Sequence, residues 1–203
     1  MKRCLVLDVD GVVVNGRPED GRSWAADIER DLGIDPARLQ SVFFGPHWDD
    51  IVVGRTDLLE VLADCLPQLA PSVTPRAFVD YWFERDAAVD ETVLRASDAL
   101  RGGGMRVYLA SNQEHMRAAY LMDRLALRER VDGMIHSAGV GARKPARAFF
   151  AAAERISGLS PAEIVLVDDT PANVEAARAS GWTARLWRPG ASLVELLDNE
   201  TSD

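Results

Sequence analysis

Apolar residues along this chain follow two kinds of pattern. At the start, Leu5-Val6-Leu7 is an unbroken apolar run that closes on Asp8, with Asp10 two residues on and Gly11 permitting a sharp exit. Such a run, bounded by a turn signal, predicts a strand buried on both faces of a parallel sheet. Four more come late, at residues 106–110, 132–135, 164–167 and 183–187. Between them apolar positions recur at helical spacing, over 113–125, 145–156 (Phe149, Ala153 and Ile156 facing one way) and 171–180, which Gly181 stops. A further helix over 90–101, broken by Gly102-Gly103-Gly104, leads into the second strand. Strands alternating with helices imply right-handed crossovers and a doubly wound parallel α/β sheet.

Residues 15–94 are different, with no period-2 segment. Asn15-Gly16 and the polar run 17–22 predict a turn and a loop. A helix is expected over 24–32, capped by Gly33, and Pro36 suits the first position of the next. Thr56 is expected as an N-cap, with Asp57 in the first turn of a helix whose Leu58, Leu59, Leu62 and Leu66 make one stripe. Pro75 opens a segment with Phe78, Tyr81 and Trp82 on one side. The predicted organisation is an α/β core of residues 1–14 and 95–203, interrupted by an all-helical insert of residues 15–94.

The 203 residues suffice for a substantial core, and 47% apolar with 27% charged residues is the balance of a soluble globular protein. A formal charge of −9 argues against nucleic acid or an anionic membrane as partner. It also requires that an anionic ligand be drawn in by a local positive site. Two cysteines make no disulfide framework, and Cys4 falls inside the first strand, so a reduced, cytoplasmic chain is expected. Lys2 and Arg3 precede an apolar run, but Asp8 and Asp10 cut it too short for a signal peptide, and no stretch reaches membrane-spanning length. Residues 198–203 are polar and acidic and are expected to fray.

Every strand but the third and the last ends in groups able to do chemistry. The first ends in Asp8 and Asp10, the second in Ser111-Asn112, the fourth in Asp168-Asp169. The stretch Gly139-Val140-Gly141-Ala142-Arg143-Lys144-Pro145 adds a lysine in a glycine-bearing loop at a helix start. Ligands of open α/β sheets sit outside the carboxyl ends of the strands, so these groups are expected around one point. Carboxylates gathered there repel one another unless a cation joins them, and a hard ion such as Mg²⁺ suits them. Taken singly, each has a plainer explanation. Asp8 and Asp10 would cap a turn, and Asp168-Asp169 would be loop and cap residues. Ser111 would be a helix N-cap with Gln113 and Glu114 in the first turn, a role compatible with binding an anion there. Lys144 would be a solvated charge. The joint arrangement outweighs these.

This order and spacing resembles the haloacid dehalogenase superfamily of phosphatases across the whole core. "DVDGV" resembles its first motif, the serine of "LASNQ" its second, the lysine of "GARKP" its third, and "VDD" with "TPANVEAARASGW" its fourth. The insert is similar to the helical cap of the subgroup that includes phosphoglycolate phosphatase, β-phosphoglucomutase and sugar-phosphate phosphatases. The resemblance implies a Rossmann-like core and a Mg²⁺-dependent phosphomonoesterase. It implies Asp8 as the nucleophile that forms an aspartyl-phosphate, and Asp10 as general acid and base. It implies a metal held by Asp8, Asp169 and the backbone carbonyl of Asp10, with Asp168 in support. Ser111 and the Asn112 N–H would hold a phosphate oxygen, and Lys144 would balance charge and pair with Asp8.

Three rivals stand beside this. A 2-haloacid dehalogenase would use Asp8 on carbon, but that branch lacks the second acid of the first motif. A phosphomutase would return the phosphoryl group to a sugar. A phospho-acceptor signalling module gathers similar groups, but with its acid pair before the acceptor and no helical insert. The substrate expected is a small sugar or organic-acid phosphate, with nucleotides next and specificity set by the insert and residues 12–16; the oligomeric state is open. His47 and Trp48, expected in a loop near Gly45-Pro46, and Arg55 beside Gly54 are weaker candidates for substrate contact. His115 and His136 are expected to be surface or structural, and the five tryptophans to pack.

Overall fold

The computed structural model describes residues 3–198. Strands β1 (Cys4–Leu7), β2 (Arg106–Ser111), β3 (Gly133–His136), β4 (Ile164–Asp168) and β5 (Thr183–Leu186) form one parallel sheet in the order β3-β2-β1-β4-β5. Central β1 explains the unbroken apolar run at the start of the chain. Leu5 and Leu7 join Val107, Leu109, Val165 and Val167 in one layer, while Cys4 and Val6 join Phe149, Phe150, Leu166 and Val174 in the other. Every residue of β1 is buried, and each Val or Leu so placed contributes about 1.5–3 kcal/mol. Leu7 pairs with Leu109 on one side and Val167 on the other, so the ends of β1, β2 and β4 come out level.

Helices α1 (Ile28–Leu32), α2 (Pro36–Leu39), α3 (Gly45–Ile51), α4 (Leu58–Leu69) and α5 (Pro75–Arg85) follow β1 and share a second core around Phe43, Leu62, Phe78 and Trp82. Trp82 stacks on Trp24 at 5.0 Å and meets Trp48 at 5.6 Å. Trp182 and Trp187 pack beneath the sheet's two faces, so all five tryptophans serve packing. The chain leaves and re-enters the sheet region through paired linkers: Asn15 N–H donates to the Ala88 carbonyl at 2.8 Å and Ala88 N–H to that of Gly16 at 2.9 Å. Helix α6 (Glu91–Gly102) then puts Val93 and Leu94 against the sheet. The remaining helices are α7 (His115–Ala119), α8 (Ser137–Val140), α9 (Arg147–Ser157), α10 (Pro171–Ala179) and α11 (Leu193–Asp198).

Several boundaries differ from expectation for local reasons. Asp57, not Thr56, caps α4, its carboxylate accepting from the N–H groups of Leu59 and Glu60. Residues 24–27 form turns, and the helix expected from 24 starts at Ile28, though Gly33 does cap it with φ 69°. Gly45-Pro46 opens α3 with proline in its first turn, so His47 and Trp48 are helical rather than in a loop. Ser111 ends β2 instead of capping a helix; Glu114 caps α7, which starts two residues later than expected. Asp132 precedes β3, where its carboxylate accepts from Val107 N–H at 2.7 Å. The tail beyond Asp198, expected to fray, lies outside the described residues. No helix among the described residues is long and apolar enough to cross a membrane.

Candidate active site

Asp8 follows β1 directly, its N–H donating to the Val167 carbonyl at 2.9 Å and its Oδ1 accepting from Val9 N–H at 2.7 Å. Lys144 Nζ lies 2.9 Å from Asp8 Oδ1, 2.6 Å from Asp168 Oδ2 and 2.6 Å from the Ala110 carbonyl. Those three acceptors match the three donors of an ammonium, and Lys144 is buried, the opposite of a solvated charge. Asn112 pins the lysine loop: its Nδ2 donates to the Lys144 carbonyl at 2.9 Å and its Oδ1 accepts from Lys144 N–H at 2.8 Å.

Asp168 is fully buried and saturated. Besides Lys144 it accepts from Asn173 Nδ2 at 3.0 and 3.1 Å and from Thr170 N–H at 2.9 Å. Asp169 is exposed and accepts from the Thr170 hydroxyl at 3.1 Å. Its Oδ2 lies so close to Gly11 that a Cβ there would come within 2.2 Å, and Gly11 also has φ +80°. Both facts demand glycine after Asp10. Asp8, Asp168 and Asp169 each present an oxygen within 4.8 Å of the others, the only such group of three found among the described residues. With Asp168 occupied by Lys144 and Asn173, Asp8 and Asp169 have the freer oxygens. An all-oxygen set with more negative charge than one lysine balances fits a hard divalent cation.

Asp10 stands with one face open to the cleft, its Oδ2 accepting from Gln113 Nε2 at 2.5 Å. Together with Ser111, Asn112, Lys144, Asp169 and Gly11, these groups line a cleft of about 330 Å³. A larger groove, about 550 Å³ between α5 and α7, has Arg76, Asp80, Glu84 and Arg124 on its walls and lacks a nucleophile held by a base. Burial pushes the Asp8 carboxyl up to about 7, against the pull of Lys144 and with Asp168 adding to the rise. Crowding by protein also pushes Asp10 up to about 6; Asp86 adds to this while Arg117 and Lys144 oppose it. Burial pulls Lys144 down, but Asp8 and Asp168 outweigh it and leave the ammonium above its usual value.

The structure thus brings Asp8, Asp10, Ser111, Asn112, Lys144, Asp168 and Asp169 to one cleft. Arg55 is exposed and paired with Asp50 at 2.8 Å. Trp48 belongs to the aromatic core of the insert, and His47 is half-buried on α3. His115 and His136 face one another at 3.3 Å, outside the cleft. Sequence reasoning missed Gln113, Asn173, and Arg117, which donates to the carbonyls of Phe83 and Asp86. The polar cluster following each strand end was the available signal.

A family model described as haloacid dehalogenase-like hydrolase matches residues 2–181. A HAD family enzyme from Bacteroides thetaiotaomicron, in complex with magnesium and inorganic phosphate, superposes with TM-score 0.80 at 17% identity, covering 97% of this chain and 99% of that one. A predicted HAD-like family hydrolase from Porphyromonas gingivalis gives TM-score 0.78 at 22% identity, covering 97% and 96%. An L-2-haloacid dehalogenase from Xanthobacter autotrophicus with chloropropionic acid covalently bound gives 0.68 at 20%, covering 98% and 82%. These likenesses share the fold.

Proposed function

The chain belongs to the haloacid dehalogenase-like hydrolases, and from that premise we propose that it hydrolyses a small phosphomonoester, a sugar or organic-acid phosphate, through an aspartyl-phosphate on Asp8. The observation that carries this reading is Asp10, a second acid anchored by Gln113 in the same cleft as the Asp8–Lys144 pair. A dehalogenase has no use for a proton donor there. The magnesium and phosphate bound by the Bacteroides enzyme support the same reading.

An Asp8 oxygen attacks phosphorus as the ester P–O bond breaks, and the electron pair leaves on the alcohol oxygen. The proton of the Asp10 carboxyl goes to that oxygen, a contribution of about 10²–10⁴ in rate. Asp10, now a carboxylate, takes a proton from water as the water oxygen attacks phosphorus and the bond to Asp8 breaks, freeing inorganic phosphate. A carboxyl pushed up to about 6 suits both halves. Ser111 Oγ and the Asn112 N–H hold a non-bridging oxygen, and Lys144 favours the ionised form of Asp8. Magnesium would be held by Asp8, Asp169 and the Asp10 carbonyl, with Asp168 behind them, and when bound supplies the charge that lets a carboxylate approach a phosphate dianion.

The helical insert acts as a cap that closes over this cleft. Arg143, beside Lys144, reaches Asp49 of α3 at 2.8 Å. Two unbridged, buried cysteines support a reducing, cytoplasmic setting. The test is a screen of phosphorylated metabolites with Mg²⁺, beside chloroacetate with and without metal. Release of inorganic phosphate over many turnovers is expected; halide release alone, or a phosphorylated isomer as the product from hexose phosphates, would replace this reading by a dehalogenase or a phosphomutase.

A further inference from the structure

Gln113 is buried, follows the end of β2, and occupies a position that reads from sequence as ordinary helix start. Its side chain donates to Asp10 Oδ2 at 2.5 Å. Its carbonyl accepts from Ala138 N–H at 3.2 Å and faces the Ser137 hydroxyl at 3.1 Å. Ser137 is fully buried, and its single hydroxyl proton lies between that carbonyl and the Val52 carbonyl, 2.5 Å away at the end of α3. One residue therefore touches Asp10 with its side chain and the seat of the helical insert with its main chain.

We propose that Gln113 is the positioning residue for Asp10, and that through Ser137 it ties the orientation of that acid to the docking of α3. This rests on the phosphatase reading above. An amide N–H aimed at Oδ2 favours the carbonyl form of that oxygen, the stronger acceptor of the two, and so places the transferable proton on Oδ1. Without the amide, the carboxyl rotates and its proton is shared between two oxygens, only one of which faces the leaving group. The α3 carbonyl on Ser137 holds residues 113 and 137 in register, so displacement of the insert loosens the same hydrogen bond to Asp10.

The experiment compares kcat/KM for two esters with Mg²⁺: an alkyl phosphate, whose leaving oxygen needs a proton, and p-nitrophenyl phosphate, whose does not. Gln113→Met keeps the side-chain volume and removes the donor. It should reduce kcat/KM for the alkyl ester at least fivefold more than for the aryl ester, while Gln113→Asn, which keeps an amide, recovers part of that ratio. Ser137→Ala removes only a hydroxyl and should shift the ratio in the same direction by about threefold; it carries the test alone if Gln113→Met does not fold. Equal losses for the two esters in these variants would overturn the proposal, because a merely structural role lowers both together. Wild-type protein that hydrolyses neither ester overturns the phosphatase reading itself and this inference with it.

Discussion

Arg17 is buried between Asp20 and Asp27, and Arg30, Arg85 and the Tyr81 hydroxyl converge on Asp31. Hydrogen bonds from Arg17 hold Asp20 down to about 2 and keep Asp27 below the usual carboxylate range. At the strand ends the opposite holds: Asp8 and Asp10 are pushed up by burial, with one lysine among several acids. The contrast extends to whole regions. Residues 15–89, from one linker to the other, carry 14 Asp and Glu against 7 Arg and no Lys, so the insert holds −7 of the formal charge of −9. Asp20, Asp27 and Asp31 are each held by arginines and serve the insert's structure, whereas the acids of the cleft share one lysine and keep oxygens free for a ligand. A salt bridge already satisfied has nothing to offer a ligand.

Asp8→Asn breaks the cleft side of this contrast most severely. Phosphatase turnover should fall by at least ~10⁴-fold with far-ultraviolet circular dichroism unchanged. Lys144→Met should lower kcat/KM by about 10²-fold and stability by about 3 kcal/mol, since it leaves Asp8 and Asp168 buried without their partner; urea unfolding measures the second. An insert of one sign should also select substrates. At low ionic strength an ester whose alcohol part bears a carboxylate should have a kcat/KM about tenfold below a neutral one of equal size, the gap closing in high salt. That would favour sugar phosphates over organic-acid phosphates; no gap would detach the charge of the insert from the cleft.

Smaller effects follow from titration. The folded pKa values of Asp8 and Asp10 lie above 3.8, so the stability they contribute is full below about pH 4 and is lost as pH rises through 6 and 7. The melting temperature measured with chelator should decline across that window, and Mg²⁺ should flatten the decline. Asp20 has the opposite sign: its contribution is present above 3.8 and lost as pH falls towards 2. Arg17→Met should therefore lower the melting temperature at neutral pH and flatten the decline on the acid side, with the two proteins converging towards pH 2.

Most of the cleft was legible because strand ends announce themselves: an apolar run that stops on Asp8, Ser111 or Asp168 has reached the sheet edge. Lys144 was legible by its loop, but its burial was not, since only the folded chain shows Ala110 and Asp168 closing around it. Gln113 and Asn173 were hidden because each looks like a helix-start residue, and their partners lie 103 and 5 residues away respectively. Thr56 and Asp57 are both good caps, and only the main-chain geometry chooses between them. Gly45-Pro46 pointed to a turn because proline suits turns and first helical positions alike.

The phosphoryl acceptor can be identified directly. Acid quenching during turnover of a phosphomonoester with Mg²⁺, followed by digestion and mass analysis, should find one phosphoryl group on Asp8, and none in the Asp8→Asn protein. A phosphoryl group on any other residue, or steady hydrolysis by Asp8→Asn, would contradict the account.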